Sequence, residues 1–393
     1  MFKLNNIVGF GANIEVTIAS DWANWTGSND GARVLIDEDS NVEFSSARTA
    51  SWDNGNMVVI HIVATDLYMV EIAVGTSGTT PVPGTPVKII TAGDDGINCI
   101  SIKQIGDDKW LIYYNQNTGD LLNVVVVEHN GSTFVAGTPV LISNESRLPQ
   151  DETAISAWGS GYWGIAYRGD FDVYLALVSV SGTTPTVEST VKLLDETSSE
   201  APHFDLVEYS ADNNEVVMLY PDGDLIYMVL VSRSGTTLTV ESTIELYDND
   251  TDIPDGLALA VSDSNAICFA HLDDNFGFTV GRASYNGTSL SFVANSIISS
   301  GAYYDTLSMV WVVDDFFVLE GRDGFGSTND FRAVYECTTS ACTQISLDSD
   351  TDFDTGYINS THVARIDNAR VLHVSKSVAD KKYYCAIISG EVA

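Results

Sequence analysis

An all-β chain of repeated four-stranded units, closed into a ring of seven, is what the sequence predicts, and three observations carry that expectation. A turn recurs as Ser77-Gly78-Thr79-Thr80, Asn130-Gly131-Ser132-Thr133, Ser181-Gly182-Thr183-Thr184, Ser234-Gly235-Thr236-Thr237 and Asn286-Gly287-Thr288-Ser289. Its glycines stand about 52 residues apart, and self-similarity at such a period means one supersecondary unit stacked on copies of itself. Between the turns lie apolar and β-branched runs bounded by Gly, Asp, Asn and Ser, with no sustained helical period. The third observation is a spare strand, Gly31-Ala32-Arg33-Val34-Leu35-Ile36-Asp37, which resembles Gly137-Thr138-Pro139-Val140-Leu141-Ile142-Ser143 from a later repeat.

The fourth repeat gives the elements in order. Phe204-Asp205-Leu206-Val207-Glu208-Tyr209 is followed by an Asn/Asp turn, then Val216-Val217-Met218-Leu219-Tyr220, then the turn Pro221-Asp222-Gly223-Asp224. Leu225 to Val231, the Gly235 turn and Leu238 to Leu246 complete it. Trp110-Leu111-Ile112-Tyr113-Tyr114 before Gly119-Asp120 and Trp163-Gly164-Ile165-Ala166-Tyr167 before Gly169-Asp170 repeat the order. In the sixth copy, Phe316-Phe317-Val318-Leu319 precedes a longer polar loop through Gly324 and Gly326, and a hairpin between Cys337 and Cys342 replaces the glycine turn. The seventh runs from Val371-Leu372-His373-Val374 to Tyr383-Tyr384-Cys385-Ala386-Ile387-Ile388 and Ser389-Gly390, one strand short. The strand near Val34 supplies it, and closure removes the sheet edges that an open array must cap.

The span 31–393 divides into seven repeats of about 52 residues, which predicts a seven-bladed β-propeller of four-stranded antiparallel blades, the last closed by the N-terminal strand. Residues 1–30 remain as an arm. Ile14-Glu15-Val16-Thr17-Ile18 gives it strand propensity, and Trp22 and Trp25 mark it as a docking segment for a partner surface, a flap folded on its own propeller being the alternative.

Composition narrows the function. A net charge of −36, from 54 acids against 18 bases, excludes a nucleic-acid role, because phosphate binding needs a basic stripe. No apolar run approaches a membrane span. The start, Met1-Phe2-Lys3-Leu4-Asn5-Asn6, lacks the pattern of a secretory leader. Cys99, Cys268 and Cys385 sit singly in apolar runs as small core residues. Cys337 and Cys342 flank a short turn and face each other across a hairpin, within reach of a disulfide in an oxidising medium.

Acids gather in the loops that share one face of such a ring. Among them, Asp248-Asn249-Asp250-Thr251-Asp252 and Asp348-Ser349-Asp350-Thr351-Asp352 carry the alternation that opens a calcium loop. Both lack the glycine and distal glutamate of that loop. A solvated acidic loop is therefore the first reading, and a calcium or magnesium site on Asp248, Asp250, Asp252, Asp348, Asp350 and Asp352 the second. His61, His271 and His373 occupy one repeat position on different blades, which predicts blade interior and not a metal trio.

Enzyme-like strings are weak. Trp158-Gly159-Ser160-Gly161 reads as a tight turn and not a nucleophile elbow. Ser51-Trp52-Asp53-Asn54-Gly55 has the start of a sialidase Asp-box but Val58 where the aromatic belongs, and it occurs once. Nothing singles out a carboxylate pair for glycoside hydrolysis, and Arg168-Gly169-Asp170 is ordinary turn chemistry.

At Val178-Ser179-Val180-Ser181-Gly182-Thr183-Thr184-Pro185-Thr186-Val187 and Leu230-Val231-Ser232-Arg233-Ser234-Gly235-Thr236-Thr237-Leu238-Thr239-Val240, the chain resembles the repeats of β-propeller proteins in tailed-bacteriophage virions. The resemblance covers the first five repeats. It implies a structural protein on the tail or capsid exterior, made in the host cytoplasm and docked to other virion proteins through the arm with Trp22 and Trp25, with one face offered to a host receptor. The expectation is therefore a non-enzymatic virion protein with no catalytic residues, binding host-surface glycan through any exposed rings among Trp158, Tyr162, Trp163, Tyr303 and Tyr304, most of which read as blade core. A polysaccharide-active propeller enzyme and a free carbohydrate-binding propeller are the alternatives.

Overall fold

The computed structural model describes residues 34–38, 47–52, 55–74, 80–91, 96–116, 121–144, 154–169, 172–194, 204–222, 225–248, 256–273, 277–299, 304–323, 330–338, 341–350, 358–366, 370–377 and 382–389. The arm over 1–30, with Trp22 and Trp25, lies outside them. The strands form seven antiparallel sheets in a seven-bladed β-propeller, one sheet per repeat.

Blade 1 comprises Ala47–Ser51, Met57–Val63, Asp66–Ala73 and an outer edge in two pieces, Val82–Pro83 and Val87–Ile90. Blade 2 follows with Ile97–Gly106, Lys109–Gln116, Leu121–His129, Phe134–Ala136 and Val140–Ser143. Blade 3 is Ala154–Ala157, Tyr162–Gly169, Asp172–Ser181 and Thr184–Leu194. Blade 4 is Asp205–Ser210, Glu215–Asp222, Leu225–Ser234 and Thr237–Asp248. Blade 5 is Leu257–Val261, Ile267–Asp273, Gly277–Tyr285 and Leu290–Ser299. Blade 6 is Tyr304–Val313, Phe316–Asp323, Asp330–Cys337 and Cys342–Asp350. Blade 7 takes Ile358–Arg365, Arg370–Ser377 and Lys382–Ser389 from late in the chain and Val34–Glu38 from its start.

The recurring turn joins the third and fourth strands. Gly182 and Gly235 adopt φ of +65° and +62° with open space where a Cβ would sit, so glycine is there for the left-handed backbone. Gly78 lies outside the described residues. In blades 1 and 2, Gly84-Thr85-Pro86 and Gly137-Thr138-Pro139 split the outer strand, since proline has no N–H to give the ladder. Blades 3 to 6 make the same bend as a bulge, with register shifts at Leu177/Val178, Leu230/Val231, Arg282/Ala283 and Val334/Tyr335.

Each joint between neighbouring blades holds its own apolar cluster. Trp158, Leu175, Leu206 and Met218 meet at joint 3–4, while Cys268, Leu319, Phe317 and Tyr335 meet at joint 5–6. Ile36, Met57, Val59, Val374 and Cys385 do so at joint 7–1. A blade alone would leave such a face in water, so burial there ties the ring together. Closure pairs Val34 with Cys385 and Leu35 with Tyr384. Across the same joint, the Tyr383 hydroxyl donates to the Ile62 carbonyl at 2.5 Å, and His61 Nε2 lies 2.9 Å from Asp37 Oδ2.

A second period, two blades long, runs through the turns between first and second strands. Blades 1, 3, 5 and 7 close that turn over five residues, with Trp52 N–H donating to Asn56 O, Trp158 to Tyr162, Ser262 to Ala266 and Ile366 to Arg370. In blades 2, 4 and 6 the turn is tighter, with Asp108, Asn214 and Asp314 at positive φ. The long turn of one blade rests on the tight turn of the next. Trp52 Nε1 donates to Asp108 Oδ1 at 2.6 Å, and Trp158 Nε1 to Asn214 O at 2.7 Å.

Candidate functional site

The innermost strands of all seven blades enclose a channel with a cavity of about 600 Å³. Among the described residues, its cations are Arg48 of blade 1, Lys103 of blade 2 and Arg365 of blade 7, and its acids are Asp107 and Asp205. The chain as a whole has 54 acids to 18 bases, so the channel reverses the balance of the molecule. Asp205 is also engaged by the backbone: its Oδ1 accepts from the Leu206 N–H at 2.8 Å and its Oδ2 from Leu259 N–H at 2.7 Å.

Burial pushes the Lys103 ammonium below its usual range, against the pull of Glu208 and Asp205 on blade 4. His362 lines the same wall. Burial lowers its pKa to about 3, with Arg48, His373 and Lys103 adding repulsion, so its ring is neutral at physiological pH. Its buried Nδ1 has no hydrogen-bond partner. At the rim, the Arg365 guanidinium stacks over the Trp311 ring at 4.1 Å, and Ser51 donates to Gln104 at 2.8 Å. The channel therefore presents cationic donors beside a neutral ring nitrogen.

The joints hold the other polar clusters. At joint 3–4, Arg233 stacks over Tyr162 at 4.1 Å, donates from Nε to Trp158 O at 2.8 Å and from Nη2 to Asn214 Oδ1 at 2.6 Å. Glu208 Oε1 accepts from the Gly159 N–H at 2.7 Å. At joint 6–7, Glu320 Oε2 lies 2.5 Å from His373 Nδ1, and its Oε1 lies 3.6 Å from Arg332 Nε. All three side chains are buried, so this group is closed to any ligand.

The sequence candidates separate clearly. His61, His271 and His373 are buried on blades 1, 5 and 7 and do not meet, as their repeat position predicts. Trp158 and Trp163 are buried in joints 3–4 and 2–3 and offer no sugar platform; Tyr162 is half-buried beneath Arg233. Their turn and strand positions place them on the faces that neighbouring blades cover. Arg168 is also buried, so the adhesion tripeptide is not displayed. Tyr303 lies outside the described residues.

Of the candidate cation ligands, Asp248 ends the outer strand of blade 4, opposite Leu225. Asp348 and Asp350 lie on the outer strand of blade 6, opposite Arg332 and Asp330. Asp250, Asp252 and Asp352 fall outside the described residues. Cys337 and Cys342 face each other in register, as the hairpin reading expects, and both are free thiols. Sequence reasoning missed the channel, because its lining residues come from seven separate blades with two to six residues each.

No family model matches the chain, and no curated protein is similar to it in sequence. Solved structures share its chain path. The BP39L lectin from Burkholderia pseudomallei matches with a TM-score of 0.61 at 12% identity, over 90% of this chain and 98% of that one. A protein of unknown function from Dyadobacter fermentans matches with a TM-score of 0.51 at 10% identity, over 91% and 97%. At these identities the likeness is one of fold, that of a closed propeller.

Proposed function

We propose that this protein is a non-enzymatic carbohydrate-binding propeller whose channel takes an acidic saccharide, and that it serves on the exterior of a bacteriophage particle to bind host-surface glycan. The observation that carries the binding half is the channel chemistry. Arg48, Lys103 and Arg365 suit a carboxylate or sulfate, and the unpartnered Nδ1 of His362 suits a hydroxyl donor. An acidic sugar carries both groups on one ring. A cavity of about 600 Å³ is in the usual range for a small-molecule site.

The lectin among the structural neighbours agrees with this reading. The virion half rests on the repeats around Gly182 and Gly235, which resemble those of phage propellers. Against an enzyme stands the described lining: one of its two carboxylates, Asp205, is held by two backbone amides, which leaves no pair free for acid and nucleophile.

Calorimetric titration with an oligogalacturonate and with a neutral oligosaccharide of equal length tests the binding. The expected result is binding of the acidic chain only, weakened by salt and reduced at least about tenfold by Lys103→Ala or Arg365→Ala. Equal binding by the variants refutes the channel, and release of shortened saccharide restores the enzyme. Mass spectrometry of purified particles tests the virion half separately, since absence from particles overturns it and leaves the channel untouched.

A further inference from the structure

At joint 5–6 three cysteines converge. Cys268 comes from the second strand of blade 5, and Cys337 and Cys342 from the hairpin that closes blade 6. Their three sulfurs lie within 4.8 Å of one another, and all three residues are buried. Sulfurs each about 2.3 Å from a zinc ion stand about 3.8 Å apart, so a closing movement of about 1 Å is all the geometry asks.

The hairpin pins two of them. Thr338 N–H donates to Ala341 O at 2.8 Å, while the Cys337 N–H is turned away to Asp315 O. This leaves Cys337 and Cys342 as a directly opposed pair whose side chains share one face. Cys268 pairs across its own sheet with Arg282, whose guanidinium donates to the Cys337 carbonyl. One cation therefore sits beside the three sulfurs.

We infer that Cys268, Cys337 and Cys342 form a trithiolate site for a divalent thiophilic cation of the zinc class. On binding, three S–H bonds release three protons and three metal–sulfur bonds form, leaving one net negative charge that Arg282 faces. Water completes the coordination. No electron transfer is involved.

The site stands apart from the channel and from the glycan reading. Its test is titration of the reduced full chain with Cd(II), read by the near-ultraviolet thiolate-to-cadmium absorption. One equivalent is expected, with three protons released, and Co(II) is expected to give the visible spectrum of a thiolate-rich site. Cys268→Ala, and separately Cys342→Ser, should abolish the band, while Cys385→Ala should leave it; circular dichroism of each metal-free variant checks that it folds. Lack of a cadmium band in the reduced protein overturns the site. So does a band that survives Cys268→Ala, which would leave the two hairpin cysteines acting alone. A disulfide between Cys337 and Cys342 that persists in the reduced preparation, counted as two missing thiols, overturns it as well.

Discussion

Joints 3–4 and 5–6 are built on the same backbone and filled with different chemistry. In both, a residue at the end of the third strand donates its N–H to the tight turn of its own blade, Arg233 to Asn214 O and Cys337 to Asp315 O. In both, the preceding blade closes its first turn over five residues, from Trp158 in one and Ser262 in the other. Joint 3–4 fills its rim with Trp158, Tyr162 and Arg233. Joint 5–6 has Ser262 and Ala266 at the corresponding turn positions, and Arg282 reaches Cys337 from the blade face. Backbone hydrogen bonds set the turns within each blade, and side chains fill the joint between blades.

Removing the ring at joint 3–4 is the hardest test of that difference. Trp158→Ala deletes a fully buried indole and its bond to Asn214 O, an expected loss of about 3–5 kcal/mol. Ser262→Ala, at the matching position, should cost only about 1 kcal/mol, from the loss of its bond to the Ala266 N–H. Urea denaturation of both variants checks the ratio, and equal losses would mean the two joints depend on something other than their rims.

Two glycines in one turn sharpen the point. A Cβ on Gly159 would meet Asn214 Oδ1 and Arg233 and come within 3.2 Å of Ala211 O, whereas one on Gly161 would meet nothing; both have positive φ. Gly159→Ala is expected to cost about 2–3 kcal/mol, and Gly161→Ala about 1 kcal/mol from backbone strain alone. Arg233→Ala falls between them at about 1–2 kcal/mol, from two hydrogen bonds and a stack. Differential scanning calorimetry orders the three, and an Arg233 effect as large as that of Trp158 would break the picture of a rim resting on a packed joint.

The smallest expected effect contrasts the joints with the channel wall. His362 has its pKa lowered to about 3 from the ordinary 6.5 by burial. Between those values the unfolded chain holds a proton that the folded chain refuses, so stability falls as pH drops through this window. His362→Gln should remove that dependence, lowering proton uptake on unfolding at about pH 5 by about one. Arg233→Ala should leave the slope unchanged.

Much of this was legible in the sequence wherever the signal was local. The turn glycines named their hairpins because only left-handed backbone needs them, and the strand at Val34 declared itself by likeness to the segment around Val140. Repeat position also placed His61, His271 and His373 in blade interiors. The two-blade period escaped, since it lies in how many residues close a turn and not in which residues they are. Cys268 read as an isolated core thiol because its neighbours at 337 and 342 belong to the next blade. The same blindness left Trp158 undecided between sugar platform and core: a turn residue is exposed in its own blade and covered only by the following one.

The strand Val34–Glu38 pairs with Lys382–Ser389, and this has a consequence for the order in which the molecule is made. A ribosome delivers the first of these strands before any blade and the second after six blades exist. Through most of synthesis, Val34–Glu38 has no possible partner, and the waiting strand must stay clear of the edges already formed. Seven is odd, so the joint that this strand closes is also the one at which two long-turn blades, the seventh and the first, adjoin.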